Sequence, residues 1–208
     1  MSLPAPVEFF RAIHRLDDLP PDTGAEVAFA GRSNAGKSSA INTLVNRRRL
    51  AHISKAPGRT QTINFFRLDG GFLVDLPGYG YAAVARRERE HWGKLIGAYL
   101  TTRDCLRGLV LIADVRRSLN ALDRQLIEWF APTAKPLHVL LTKADKLSAA
   151  KARLALKNIG AELRRVHPGL SVQLFSSETR EGAAQAQRTV SEWLAQKKPL
   201  LKGSKTGG

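Results

Sequence analysis

GRSNAGKSSAINTL, Gly31 to Leu44, is the stretch on which the reading of this chain turns. Small residues crowd its first half, and a lysine and two serines follow. The run before it, EVAFAG, has the β-rich, apolar character of a strand, and from Lys37 to Arg47 the pattern turns helical. G-x-x-x-x-G-K-S therefore sits as strand, loop, helix, which is the setting of a phosphate-binding loop. Glycines let the backbone turn so that several N–H groups face phosphate oxygens, and the following helix adds the positive end of its dipole. Gly31, Arg32, Ser33, Asn34, Ala35, Gly36, Lys37, Ser38 and Ser39 are the candidate cradle. Lys37 would reach the β- and γ-phosphates as a point charge, and Ser38 would give its hydroxyl to Mg2+.

The rest of the composition bounds what such a loop can serve. The chain has 208 residues, 43% of them apolar. That suits one domain able to bury roughly 70% of its unfolded surface. No apolar run approaches the ~20 residues of a membrane helix, and MSLPAPVEFFRAIHRLDDLP lacks the charged and apolar regions of a secretory signal. The expectation is a cytoplasmic monomer without membrane insertion. The single cysteine, Cys105, cannot make an internal disulfide and reads as a small buried hydrophobe. Charge is the one extreme: 33 Lys+Arg against 18 Asp+Glu leave a formal +15, which favours nucleic acid or another anionic surface. The excess lies in short clusters, Arg47–Arg49, Arg86 and Arg87 with Arg89, Arg116 and Arg117, Arg164 and Arg165, and Lys197 and Lys198 leading to Lys202 and Lys205.

Six β-rich runs alternate with helical ones. They are EVAFAG, INFFRL, GFLVDL, GLVLIADV, LHVLLTKAD and SVQLFSS, with helices expected over Lys37 to Arg47, Arg86 to Thr101, Ala121 to Ala131, Ser148 to Val166 and Gly182 to Gln196. That order implies an α/β fold with a mostly parallel six-stranded sheet and helices on both faces. Residues 1–24 read as an N-terminal segment, 25–198 as the nucleotide-binding domain and 199–208 as a basic flexible tail, with the chain's ends expected to be mobile.

Two further motifs choose the ligand. DLPG ends the strand GFLV, placing Asp75 where it can hold Mg2+ through water, followed by Leu76, Pro77 and Gly78, whose N–H can meet the γ-phosphate. TKAD, from Thr142 through Lys143 and Ala144 to Asp145, ends LHVLL in the same way. A carboxylate at Asp145 accepts at both oxygens, matching the two donors on guanine's Watson–Crick edge and mismatching adenine. That selects GTP over ATP. Lys143 can lay its stem along the base, and after Phe175 the N–H of Ser176 or Ser177 can donate to guanine O6.

Together, GRSNAGKSS, GRTQTINFF, DLPGYGYA, TKADKL and FSS resemble the EngB (YihA/YsxC) family of bacterial GTP-binding proteins over nearly the whole chain. The resemblance implies a Ras-like P-loop GTPase fold, binding of GTP, GDP and Mg2+, a role in assembling the large ribosomal subunit, and a requirement for normal septation in cell division. It assigns Gly58, Arg59, Thr60, Gln61 and Thr62 to a loop that closes over the nucleotide. Within it Thr60 is the switch threonine on Mg2+, with Thr62 nearby as the alternative. Lys37, Thr60 and Gly78 are then the catalytic set, and Ser38, Thr60 and Asp75 the metal set. Two positions depart from the broader Ras-like pattern. Tyr79 follows DLPG where many relatives carry the glutamine that orients water, and Thr142 stands where most have asparagine; together they imply slow turnover and modest affinity. In related GTPases with a similar loop, the residue matching Asn34 helps hold a potassium ion, so K+ is a candidate cofactor; the other reading of Asn34 is a turn residue. A P-loop kinase would need an acceptor-substrate lid and would not need TKAD, and a plain RNA-binding protein would not need DLPG or the switch threonine; the alternative reading is an RNA-binding protein whose nucleotide site is regulatory without significant turnover.

Overall fold

The computed structural model describes residues 3, 6–47, 49–51, 62–80, 86–166 and 169–196. In chain order the elements are β1 (Glu8–Ile13), β2 (Ala25–Gly31), α1 (Lys37–Leu44), β3 (Ile63–Leu68), β4 (Gly71–Asp75), α2 (Arg86–Thr102), β5 (Leu106–Asp114), α3 (Ala121–Phe130), β6 (Leu137–Thr142), α4 (Ala149–Leu163), β7 (Leu170–Leu174) and α5 (Ala183–Ala195). One sheet runs in the order β1-β3-β4-β2-β5-β6-β7. The strands from β4 to β7 across that order are mutually parallel, while β3 is antiparallel to β4 and β1 to β3.

The sheet thus has seven strands where the sequence reading expects six. The extra one, β1, hides its period because it is an edge strand: four of its six residues are exposed, and only Ile13 is buried. Its register to β3 is fixed instead by rings. Phe9 packs edge-on to Phe66 at 6.0 Å, and Arg67 lies 4.0 Å over the ring of Phe10. Ahead of the strand, Leu3 and Val7 are also buried, so this N-terminal stretch is tied to the core rather than free.

The two faces of β5 show how the layers assemble. Leu109 and Leu111 join a core with Leu95 and Tyr99 of α2, Leu126 and Phe130 of α3, and Leu163 of α4. Val110 and Ile112, one residue out of phase, join the opposite core with Ile41 and Leu44 of α1 and Val190 and Trp193 of α5. Every residue of β2 and β5 is buried, the signature of central parallel strands covered on both sides. Cys105 is buried, as expected of a small hydrophobe.

Helix ends follow local chemistry. α1 stops at Leu44, short of Arg47, because Asn46 takes the left-handed conformation at φ +58°. α3 begins at a reciprocal cap, in which the Asn120 side chain accepts from Asp123 N–H and the Asp123 carboxylate accepts from Asn120 N–H. The tail from 197 and the loop Gly58–Gln61 lie outside the described residues.

Candidate nucleotide site

All the motifs meet at the C-terminal edge of the parallel strands, where β2, β4, β6 and β7 end. This is where open α/β sheets bind ligands, because loops fan out there and helix N-termini point in.

The phosphate loop leaves β2 at Gly31, where a Cβ would stand 2.6 Å from the Ile112 carbonyl oxygen. Only glycine lets β2 and β5 close up here. The chain then turns through left-handed residues at Asn34 (φ +64°) and Gly36 (φ +98°), the second one capping α1. The first bond of the helix runs from Ala40 N–H to Gly36 O. The N–H groups of Lys37, Ser38 and Ser39 therefore have no acceptor among the described residues and converge at the mouth of the loop. Lys37 reaches across to β4 and forms an ion pair with Asp75, both side chains being about nine-tenths covered. Asp75 is placed by its register opposite Phe29 of β2, and Leu76 N–H extends that pairing onto Phe29 O at 2.9 Å.

The second half of the site grips the first. Thr142 ends β6 buried, and its hydroxyl donates to Ala35 O at 2.5 Å and lies 3.1 Å from Ala113 O. The short hydroxyl that stands in for asparagine thus still braces the phosphate loop. Lys143 follows in the left-handed conformation at φ +60° and donates to Asn34 O at 2.7 Å, closing the same loop from outside. Asp145 accepts from the Ser176 hydroxyl at 2.7 Å on one oxygen and pairs with Lys146 at 2.9 Å on the other. The Ser176 bond first, and then Lys146, hold its carboxyl below the usual carboxylate range. Each oxygen keeps a free lone pair for a further donor. Of the two serine N–H groups expected near the base, that of Ser176 donates to Glu181 O at 3.0 Å; that of Ser177 has no partner among the described residues. Phe175 accepts from Ala144 N–H and so ties β7 to the TKAD turn.

Four of the expected site residues, Gly58, Arg59, Thr60 and Gln61, lie outside the described residues. Thr62 is described, its hydroxyl 3.0 Å from Asn64 Oδ1. The sequence reading missed Asp114. It ends β5, is bound by Arg116 through a fork of 2.9 and 2.7 Å, and pairs with Lys143 at 3.1 Å. Burial works to raise its pKa, yet the Arg116 fork and Lys143 outweigh it and hold the carboxyl well below the usual range. The signal was available: GLVLIAD ends in an aspartate as GFLVD does. A cavity of about 470 Å3 opens beside the loop, lined among others by Arg32, Ser33, Gly80, Asp114, Arg117 and Asp123. Arg32, Ser33, Asn34 and Ala35 of the phosphate loop line it together with Lys143 of TKAD, while Lys37 and Asp75 are not in its wall, so it takes in the first half of the cradle and not the ion pair.

Comparison with known proteins matches this arrangement. Residues 26–143 fit the family described as 50S ribosome-binding GTPase. A probable GTP-binding protein EngB of Nitrosomonas eutropha is 56% identical over 188 residues, covering 90% of this chain and 84% of its own. Its counterpart in an Azoarcus species is 57% identical, with 90% of each chain covered. Among solved structures, a probable GTP-binding protein EngB superposes with a TM-score of 0.66 at 20% identity, covering 82% of this chain and 98% of that one. Era in complex with MgGDPNP and nucleotides 1506–1542 of 16S ribosomal RNA gives a TM-score of 0.65 at 20% identity over 86% of this chain and 59% of its own. At those identities the two structures speak for the fold alone, which is that of the P-loop GTPases; the sequence relatives and the family model go further, and the chain belongs to the EngB family of GTP-binding proteins.

Proposed function

We propose that this protein hydrolyses GTP slowly with Mg2+ and uses the change of nucleotide to switch its docking on the large ribosomal subunit or its precursor. The observation that carries the reading is the coupling of base reader to phosphate cradle. Asp145, kept ionised by Ser176 and Lys146, stands three residues after Thr142, whose hydroxyl grips Ala35 in the phosphate loop. A guanine held at Asp145 thereby has its phosphates presented to Lys37 without further adjustment.

The residues also suit the metal. Ser38 and Asp75 are two hard oxygen donors beside the loop, and Mg2+ takes few protein ligands when phosphate oxygens supply the rest. Among the described residues there is no cluster of three carboxylate, histidine or cysteine side chains that would build an all-protein cage. When bound, Mg2+ would neutralise charge on the β- and γ-phosphates. Lys37 then serves the same oxygens, Gly78 offers its N–H to the γ-phosphate, and Thr60 closes from the switch loop. Asn34 has its carbonyl taken by Lys143 and its side chain exposed, which leaves the amide for a potassium ion. Replacing K+ by Na+ at constant ionic strength should then slow hydrolysis, and Asn34→Ala should erase the difference.

The docking partner follows from the +15 charge and from the matched family's description as ribosome-binding. Arg116, Arg117 and Lys146 are exposed at the rim of the site, where an RNA backbone would sense the neighbouring switch segments. Cytoplasmic location, action as a monomer, a place in large-subunit assembly, and the link to septation belong to the same proposal. The deciding experiment is sedimentation with large-subunit particles across a salt series, with GDP or a non-hydrolysable GTP analogue bound. Tight binding with the analogue alone is expected, with a log–log slope of roughly −0.7 to −0.9 per phosphate neutralised; equal binding in both nucleotide states defeats the switch. Asp145→Asn should meanwhile move preference from guanine to xanthine nucleotides, read by fluorescent-nucleotide titration.

A further inference from the structure

Tyr79 occupies the place where a water-orienting side chain is common, and its surroundings give it another task. Its carbonyl accepts from Ser33 N–H at 2.9 Å, and its own N–H points at Gly31 O at 3.4 Å, a long and weak bond. Its hydroxyl, half-buried, donates to Asp123 Oδ1 at 2.7 Å, across 44 residues of sequence. Burial, and then the adjacent Asp123 carboxylate, push the phenol well above its usual range, so it stays a donor at any physiological pH. Asp123 is itself fixed: it is 3% exposed, and its second oxygen accepts from Asn120 N–H in the α3 cap.

Three anchor points hold Tyr79, and three points define an orientation. The peptide they orient is the one that joins it to Gly78. Gly78 lies against the phosphate loop, where an added Cβ would be 3.5 Å from both Ser33 N and Ser33 Cα. With one good main-chain bond and one long one, the loop alone would leave this peptide free to rock about the Ser33 contact. The 2.7 Å bond to α3 removes that freedom.

We propose that Tyr79 and Asp123 are positioning residues for the γ-phosphate. Through the hydroxyl–carboxylate bond, α3 fixes Tyr79 at one end of a short span whose other end is Leu76, held by its N–H on Phe29 O, so that between these two anchors the Pro77–Gly78 peptide presents the Gly78 N–H pre-aimed at a terminal phosphate. This rests on the reading above in which Gly78 meets the γ-phosphate. It makes a discriminating demand: GDP lacks the group that Gly78 would read, so the latch must act on triphosphate affinity and leave diphosphate affinity alone.

The test is titration of GDP and a non-hydrolysable GTP analogue against the full-length wild-type protein and four variants. Tyr79→Phe removes only the hydroxyl. Asp123→Glu keeps a carboxylate suited to the α3 cap while moving it away from Tyr79. The double variant tests their coupling, and Gly78→Ala is the reference. Tyr79→Phe should weaken analogue binding about threefold to tenfold, the scale of one misaimed hydrogen bond, with GDP binding unchanged and the melting temperature lowered by only a few degrees. Asp123→Glu should do the same, and the double variant should be no worse than either single one. Equal weakening of both nucleotides, or an unchanged ratio in Tyr79→Phe, overturns the proposal. If Gly78→Ala lowers the ratio while Tyr79→Phe does not, the latch alone fails. If Gly78→Ala also leaves it unchanged, the γ-phosphate reading of Gly78 fails with it. Should Asp123→Glu prove unstable, Tyr79→Phe decides by itself.

Discussion

Each end of the central strand β2 lies beside a covered ion pair, and the two pairs differ in what surrounds them. At the N-terminal end, Glu26 is wholly buried and accepts from Arg103 Nε at 3.1 and 3.2 Å, from its terminal nitrogen at 2.7 Å, and from the Tyr99 hydroxyl at 2.9 Å. Nearby, Asp22 accepts the N–H groups of Asp104 and Cys105. Both carboxylates of this cluster are answered by donors of the fold, and the group left without a partner is Arg107 Nε, itself buried beside Asp104 and Gly24 and out of a ligand's reach. At the other end, Lys37 and Asp75 have each other, three helix N–H groups have no acceptor among the described residues, and a loop of left-handed residues stands open beside them. Residues of the same chemistry make structure where the network closes and a site where it does not.

The sharpest way to break the comparison is to remove one charge from each pair and watch different properties fail. In the proposed function Lys37→Ala takes away a charged donor to two phosphates, each contact being worth roughly 1.5–3 kcal/mol. GTP binding should fall by about two to four orders of magnitude, while the melting temperature moves by only a few degrees because Asp75, though covered, ends β4 beside helix N–H groups that have no acceptor among the described residues. Titration beside calorimetry on the same sample would check both halves.

Glu26→Gln is the mirror experiment. It leaves the Arg103 guanidinium buried without its counter-charge, and breaking such a pair costs on the order of 3–5 kcal/mol. Urea unfolding should show that loss, and the fraction still folded should bind GTP with unchanged affinity. Loss of binding at constant stability would mean that this end of the sheet is not purely structural.

A smaller effect tests how the site is braced. Thr142→Val removes the hydroxyl on Ala35 O without changing shape, and should weaken nucleotide binding by about 1–2 kcal/mol, roughly tenfold. Thr142→Asn should restore it if the grip on the phosphate loop is the whole of the residue's role. Failure of both variants to change the affinity would show that Lys143, which reaches Asn34 O, holds the loop unaided.

These contrasts also explain what the sequence could reveal. The phosphate loop, DLPG and TKAD are each contiguous in the chain, so spacing alone exposes them. The five inner strands are legible because burial leaves an apolar run or a period, and β7, though at the other edge, keeps enough alternation to be read as well. β1 is not, since an edge strand keeps charged Glu8 and Arg11 on view and draws its register from Phe66 and Arg67 of β3. Nor are the bonds that unite the site: Thr142 with Ala35 lies across 107 residues, and Tyr79 with Asp123 across 44. Such pairs depend on which strands become neighbours, and no local pattern encodes that. Ser176 stands between these cases: its place after a strand is readable, but its turn toward Asp145 and Glu181 is not.

The mildest prediction uses Cys105 as a reporter on the closed end. It is the chain's one cysteine and is buried beside the Glu26 cluster. Burial first, and then the Glu26 charge, push its thiol well above the ordinary 9.0. A group whose pKa is raised by folding contributes stability that is whole below its ordinary value and is lost as pH rises toward the folded one. The native protein should therefore hold its stability from pH 7 to about 9 and lose some above that. Across the neutral range its thiol should react with an aromatic disulfide reagent only as fast as the molecule opens. Tyr99→Phe removes one hydrogen bond to Glu26, so it should speed that reaction about fivefold to tenfold at pH 8 by lowering the opening free energy by about 1 kcal/mol. Saturating nucleotide should slow the reaction again only where opening of this end is coupled to unfolding of the whole sheet. A rate indifferent to nucleotide would show that the closed end opens alone, and that the two ends of β2 are separate units of stability rather than one.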